Sequence, residues 1–366
     1  MSEPDLRPSP SRKSRRRRWL IGMAVALAVL IPTGTHLALT YGNRPLAATA
    51  DQRTTMSDEA ARFLADMRPL FLPDALTSVL VTRERLIQER ENFTATEKIV
   101  EDELIARYGL ILHRETIGGV PVTVVIPPAI APNRRDQIAI NIHGGGFFLG
   151  TAQDRVGLLM ARELGVRVYS IDYTLAPEAI YPQAVNESLA VYRELVRRHD
   201  PANIVGVASS AGGNLLTATV LAAKAEGLPM IAALGLFTPV TDLTGVGDSI
   251  VANDRRDGLV ANLRVEVPAR FYAGDEPLDS PGLSPVYADY SADFPPTVLT
   301  TGTRDLNLSD IVRLTWRLDD AGIQTRLLVS EGMWHGFHWE PTLPEAIQAR
   351  TAAVKFLHDR LDGSSR

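Results

Sequence analysis

The chain has 366 residues, 45% of them apolar and 22% charged, enough to bury one large core or two modest ones, so a globular α/β domain with an insertion fits the length. The formal net charge is −5, but residues 1–50 hold eight Lys/Arg and two Asp/Glu, which leaves −11 on the remainder and argues against nucleic acid as a partner of the folded part. There is no cysteine, which excludes disulfides, a thiol nucleophile, cysteine-ligated zinc and a lipid-anchored cysteine.

At the N-terminus a cationic run, "RKSRRRR" (12–18), precedes the apolar stretch "WLIGMAVALAVLI" (19–31), which Pro32 interrupts. These have the character of the n-region and h-region of an export signal, and "RRRRWL" approaches the twin-arginine pattern. The small residues Ala48, Thr49 and Ala50 offer a cleavage site before Asp51; the competing readings are an uncleaved anchor running through Tyr41 and a cytosolic protein with a basic tail. Export or anchorage puts the catalytic domain outside the cytoplasm, with membrane association through residues 1–50 in the anchored case.

Residues 57–108 carry helical periodicity with no strand signal, opening on Ser57 as a cap and broken by Pro69 and Pro73. From Ile111 the period changes, and "VPVTVVIPP" (120–128) predicts an exposed edge strand ended by paired prolines. Six apolar runs follow: "QIAINI" (137–142), "VRVYSID" (166–172), "NIVGVA" (203–208), "AALGLFTP" (232–239), "TVLTTG" (297–302) and "TRLLVSE" (325–331). Strands this apolar, alternating with stretches long enough for helices, predict a mostly parallel sheet covered on both faces. The expected organisation is a catalytic core over 111–240 and 291–362, with N-terminal cap helices over 51–110 and a cap insertion over 241–290. Both caps are expected over the carboxyl ends of the strands, where an open α/β sheet binds its ligand.

The chemistry falls at those strand ends. In "NIHGGGFFLG" (141–150) three glycines after a strand expose backbone N–H groups that can hold an oxyanion, where side chains would block the approach. "IVGVASSAGGN" (204–214) has the form of a strand that turns sharply into a helix with serine at the bend. Such a turn needs small residues two before and two after the nucleophile. Ser210 has Ala208 and Gly212 there, whereas Ser209 would have Val207 and Ala211. Two serines capping a helix would give the same local pattern. An acid and a histidine follow in order, each on a loop after a predicted strand: Asp305 is 95 residues beyond Ser210, and His335 is 30 beyond that. His338 is the rival base and Asp310 the rival acid, the latter expected inside the next helix.

With "HGGGF" (143–147), "YTLAPEAIYPQA" (173–184), "SSAGGN" (209–214), "GTRD" (302–305) and "HGF" (335–337), the chain resembles the hormone-sensitive-lipase-like group of α/β-hydrolase esterases, which includes acetyl esterases and ε-lactone hydrolases. The resemblance implies the α/β-hydrolase fold: a mostly parallel central sheet, helices on both faces and a helical cap. It further implies two-step acyl transfer on small to medium esters, with Ser210 as nucleophile, His335 as base and Asp305 as acid. Backbone amides of Gly145, Gly146 and Ala211 would form the oxyanion hole. His143 and Glu178 become structural supports, the latter bracing the oxyanion loop. Neither metal nor organic cofactor is required, and the partner is a small-molecule ester. A lactone hydrolase or sugar-acetyl esterase on the same site is the alternative, and a small-molecule receptor on a hydrolase scaffold the non-enzyme one. A peptidase is disfavoured by the glycine-triplet loop, and "HGFHWE" (335–340) is a weak candidate for metal binding. Three departures from the family pattern stand out: Ala208 and Ser209 replace the usual Gly-Asp before the serine, the acid loop "DLNLSD" is one residue longer than D-P-L-x-D, and the N-terminal extension is an addition.

Overall fold

The computed structural model describes residues 19, 23, 27–29, 33–34, 46, 48–69 and 79–363. The cationic run and most of the apolar stretch that follows it lie outside the described residues. Among the described residues no helix is long and apolar enough to cross a membrane. Leu46 and Ala48 are buried, and Thr49 caps a single helical turn, Ala50–Arg53, that spans the expected cleavage point.

Eight strands form one sheet: β1 (Ile111–Ile117), β2 (Val120–Ile126), β3 (Ile138–Ile142), β4 (Arg167–Ile171), β5 (Ile204–Ser209), β6 (Ala233–Phe237), β7 (Thr297–Gly302) and β8 (Thr325–Ser330). Their order is β1-β2-β4-β3-β5-β6-β7-β8, with the β1–β2 and β2–β4 pairs antiparallel and the others parallel. This is the α/β-hydrolase architecture. The 120–128 run is not the edge: β1 lies outside it and takes the solvent-facing role, which frees β2 to be largely buried.

The helices are α1 (Asp58–Asp66), α2 (Arg83–Tyr108), α3 (Arg155–Leu164), α4 (Gln183–Arg198), α5 (Ala211–Ala225), α6 (Asp248–Ala252), α7 (Ala261–Phe271), α8 (Leu308–Asp320) and α9 (Pro344–Gly363). Ser57 caps α1 as its sequence context predicts, its Oγ accepting the Ala60 N–H. Alternate strand residues face opposite ways, so the strands feed two core layers. Ile138, Ile140 and Ile142 of β3 pack with α4, α5 and α8 on one face, while Ala139 joins Val205 and Val207 against α3 and α9 on the other. A third apolar cluster joins Leu46, Ala60 and Leu64 to Trp334, Phe337 and Leu343, so the N-terminal segment packs beside the loop that carries His335. Phe63 stacks on Trp334 at 5.2 Å between ring centroids.

Leu64 is fully buried in this third cluster. Its replacement by Ala is expected to cost about 2–5 kcal/mol of stability, read as a lowered urea midpoint with an unchanged slope. An unaltered midpoint would show that the N-terminal cluster adds nothing to the folded state.

Candidate active site

The site is built on one sharp turn. β5 ends at Ser209 and α5 begins at Ala211, leaving Ser210 between them at φ 53°, ψ −123°, a conformation costly for a residue with a side chain. Hydrogen bonds hold it there: the Ser210 N–H donates to the Phe237 carbonyl and the Val240 N–H donates to the Ser210 carbonyl, both at 3.0 Å. α5 approaches the end of β3 so closely that a Cβ on Gly212 would strike the carbonyl oxygens of Ile142 and His143. Ala208 is fully buried in β5 between Ile142 of β3 and Leu236 of β6. A small residue at 212 is thus required by backbone contact, and Ala208 is enclosed with no exposed surface.

Ser210, His335 and Asp305 come together from three separate loops. The Ser210 Oγ lies 2.8 Å from His335 Nε2, and His335 Nδ1 lies 3.1 Å from Asp305 Oδ1. With the serine hydroxyl donating to Nε2, the imidazole proton sits on Nδ1 and points at the carboxylate. Asp305 is fully buried and both its oxygens are engaged: Oδ2 accepts from Thr301 Oγ1 and Oδ1 from the Asn307 N–H, each at 2.9 Å. Ser210 and His335 keep only 6% and 7% of their surface exposed. Asn307, in the longer acid loop, adds a feature absent from the sequence reading. Its Nδ2 lies 3.2 Å from His335 Nδ1, and its Oδ1 accepts from the buried Arg264 at 2.7 Å.

The glycine loop lies against the elbow. Gly145 (φ 111°), Gly146 (φ 62°) and Phe147 (φ 73°) all have positive φ, and a Cβ on Gly144 would come within 2.9 Å of the Ser209 carbonyl and 3.2 Å of the Ser210 Cβ. Ala211 is the first residue of α5, where an N–H has no intrahelical carbonyl to bond. His143 is buried, stacks on Tyr173 at 4.3 Å and hydrogen-bonds the Gly144 carbonyl through Nδ1 at 2.8 Å. Burial holds its pKa below the ordinary value, so it acts as a neutral brace of the loop. Glu178 lies outside the triad and braces the loop through an intermediary. Arg90, on α2, forms a bidentate pair with Glu178 at 2.7 and 2.9 Å, and donates to the carbonyls of Phe148 (2.8 Å) and Ala176 (2.6 Å). The hydrogen bond from Arg90 keeps the Glu178 carboxyl below its usual range.

The second serine and second histidine form a pair of their own. His338 Nε2 lies 2.9 Å from Ser209 Oγ, and the Trp339 indole N–H donates to the same oxygen at 2.9 Å. Burial, reinforced by the charges of His335 and Arg350, drives His338 well below its ordinary pKa, so it stays neutral. Asp310, the rival acid, lies in the first turn of α8 and pairs with Arg264 at 3.2 Å. In "HGFHWE" the three polar side chains turn to different partners: His335 to Ser210, His338 to Ser209 and Glu340 to Arg155 at 3.0 Å. Sequence reasoning misses Arg90, Asn307 and a buried carboxylate, Asp257, that reaches the Asp305 and His335 loops from residues 241–290. None belongs to a local pattern; only the chain's long-range folding brings them to the site.

Two outcomes follow from this geometry. Ala208→Val is expected to leave the protein folded, yet lower kcat/KM at least about 10-fold by displacing the elbow, because sub-ångström placement governs the reacting pair; circular dichroism with an ester assay checks both halves. Behind the glycine loop, a cavity of about 30 Å³ is lined by Glu97, Glu101, Asp154 and Arg155. There burial first, and then the charges of Asp154 and Glu97, push the Glu101 carboxyl up to about 8 from its ordinary 4.5. A raised folded-state pKa means that the stabilisation held by neutral Glu101 is complete below about 4.5 and is lost as pH rises through 8. Glu101→Gln is therefore expected to raise the melting temperature above that of the parent at pH 9, with little gain at pH 4.5; equal gains at both values would refute a neutral Glu101.

Comparison with known proteins places this geometry. A family model described as "alpha/beta hydrolase fold" matches residues 139–339. An esterase of Acinetobacter venetianus is 31% identical over 226 residues, spanning 60% of this chain and 74% of that protein. The carboxylesterase NlhH of Mycobacterium tuberculosis is 28% identical over 312 residues, spanning 80% of this chain and 92% of that protein. Among solved structures, esterase E25 superposes with a TM-score of 0.76 at 30% identity, covering 85% of this chain and 96% of its own. An esterase of the bacterial hormone-sensitive lipase family gives a TM-score of 0.67 at 31% identity, covering 76% and 97% respectively.

Proposed function

This chain belongs to the α/β-hydrolase-fold family, among the esterases related to hormone-sensitive lipase, and from that premise we propose that it hydrolyses small to medium carboxylic esters through a serine acyl-enzyme. The observation that carries the reading is the 2.8 Å approach of Ser210 Oγ to His335 Nε2, with Nδ1 of the same ring turned to the buried Asp305 carboxylate.

Ser210 Oγ attacks the ester carbonyl while its proton passes to His335 Nε2. Asp305 holds the ring in the tautomer that can accept this proton and stabilises the imidazolium that forms. The negative charge gathers on the former carbonyl oxygen, which the backbone amides of Gly145, Gly146 and Ala211 are proposed to receive; losing one such donor typically costs about 3 kcal/mol of barrier. The imidazolium then gives its Nε2 proton to the leaving alcohol as the C–O bond breaks. Water attacks the acyl-serine with the same histidine as base, and the carboxylic acid departs with Ser210 restored. The cationic and apolar N-terminal stretches, residues 12–31, support a catalytic domain working outside the cytoplasm, exported or anchored.

The full chain is expected to hydrolyse p-nitrophenyl acetate and butyrate, and Ser210→Ala to lower kcat by at least about 10⁴-fold. Turnover that survives Ser210→Ala but disappears in Ser209→Ala would overturn the assignment.

A further inference from the structure

Segment 241–290, expected as a cap insertion, bonds directly to the loops of the site. Three of its polar residues, Ser249, Asn253 and Asp257, are buried and reach down to the loops that carry Asp305 and His335. Ser249 Oγ donates to the Leu306 carbonyl at 2.6 Å and accepts the Ser309 N–H at 2.9 Å. Asn253 Nδ2 donates to the Asp305 carbonyl at 2.8 Å. Asp257 spans both loops: one carboxylate oxygen accepts the Leu306 N–H at 2.7 Å, the other the His335 N–H at 2.9 Å.

We infer that Asp257 is a positioning residue for the proposed catalytic pair, a two-ended carboxylate that sets the Asp305 loop against the His335 loop and makes segment 241–290 part of the site's alignment. This inference rests on the esterase reading above. The chemistry requires a carboxylate in particular. It offers acceptors at both ends, whereas an amide offers one acceptor and would turn an NH₂ against the second N–H. The placement also opposes simple stabilisation, because a carboxylate buried beside a second carboxylate is disfavoured by desolvation and by like charge. The charged and titratable groups bearing on Asp257 are Asp305 and His335. Burial and Asp305 push its carboxyl up to about 7, with His335 and the two amides pulling the other way. A protonated Asp257 has an O–H where one loop needs an acceptor, so alignment weakens as pH falls through that value.

The test compares the full chain with Asp257→Asn on p-nitrophenyl butyrate across pH 5–9. Asp257→Asn is expected to lower kcat about 10- to 100-fold with KM within about threefold, the pattern of misplaced reacting groups around intact substrate binding. The acid limb of log kcat should be steeper in the native enzyme, where Asp257 takes up a proton, than in the variant, which has no carboxylate there. A folded variant with kcat within twofold and an unchanged acid limb, or one that only melts earlier, would refute the positioning role. If Asp257→Asn does not fold, Asn253→Ala, which removes the donor to the Asp305 carbonyl but keeps Asp257, is expected to lower kcat with KM within about threefold and the acid limb still steep; a folded Asn253→Ala with kcat within twofold would refute alignment of the site by this segment. A native chain with no ester turnover would sink the esterase reading and this inference together. An active native chain with an indifferent variant would sink the inference alone.

Discussion

The sharp turn from β5 into α5 at Ser210, with α5 packed against the end of β3, is the constraint on which the rest of the site depends. A residue with a side chain held at φ 53° persists only where its surroundings over-determine it. Here the surroundings are backbone: the Phe237 carbonyl, the Val240 amide, and the Ile142 and His143 carbonyls packed where a Gly212 side chain would be. Because those carbonyls belong to β3 and the glycine loop, the turn that presents the hydroxyl also fixes where the proposed oxyanion donors lie. The proposed nucleophile and the glycine loop therefore cannot be positioned independently.

Around that turn each mobile part of the chemistry is tied by a residue from another part of the chain. The oxyanion loop is held by Arg90 of α2, the acid and histidine loops by Asp257, and the exit of the histidine loop by Arg350 of α9. Arg350 is buried, bonds Glu163 at 2.8 Å, and donates to the carbonyls of His338 (2.6 Å) and Glu340 (3.0 Å). Ser209 adds a link of a different kind. Where relatives were expected to have Asp, the hydroxyl accepts from Trp339 and meets His338, so the elbow and the histidine loop touch twice, once through Ser210–His335 and once one residue earlier. That second contact gives a physical role to the residue for which sequence reasoning has none.

The parallel strands are legible because their apolar runs are continuous and short, and each of the six runs from 137 to 331 coincides with a strand. The Ser–Asp–His order is legible because each member follows its own strand, and the choice of Ser210 over Ser209 because steric demand at an elbow is a local property of chain spacing. The edge is another matter: 120–128 and 111–117 both alternate, and only the sheet order decides which is outermost. Arg90 and Asp257 lie beyond local patterning altogether. Arg90 sits in a helix rich in charged residues and Asp257 in a loop rich in aspartate, so neither differs from its neighbours until the chain is folded. Glu178 was legible as a brace but not in its means, since its partner Arg90 comes from 88 residues earlier.

Arg350 has a consequence for how the site forms during synthesis. The serine turn, the glycine loop and the acid loop are all made before α9, yet Arg350 holds the His338 and Glu340 carbonyls only once that helix has docked. A growing chain, folding from its N-terminal side, would carry the serine at its strained bend while the His338 and Glu340 carbonyls still lacked their partner. The exit of the histidine loop would then be the last part of the site to be fixed, with the docking of the C-terminal helix.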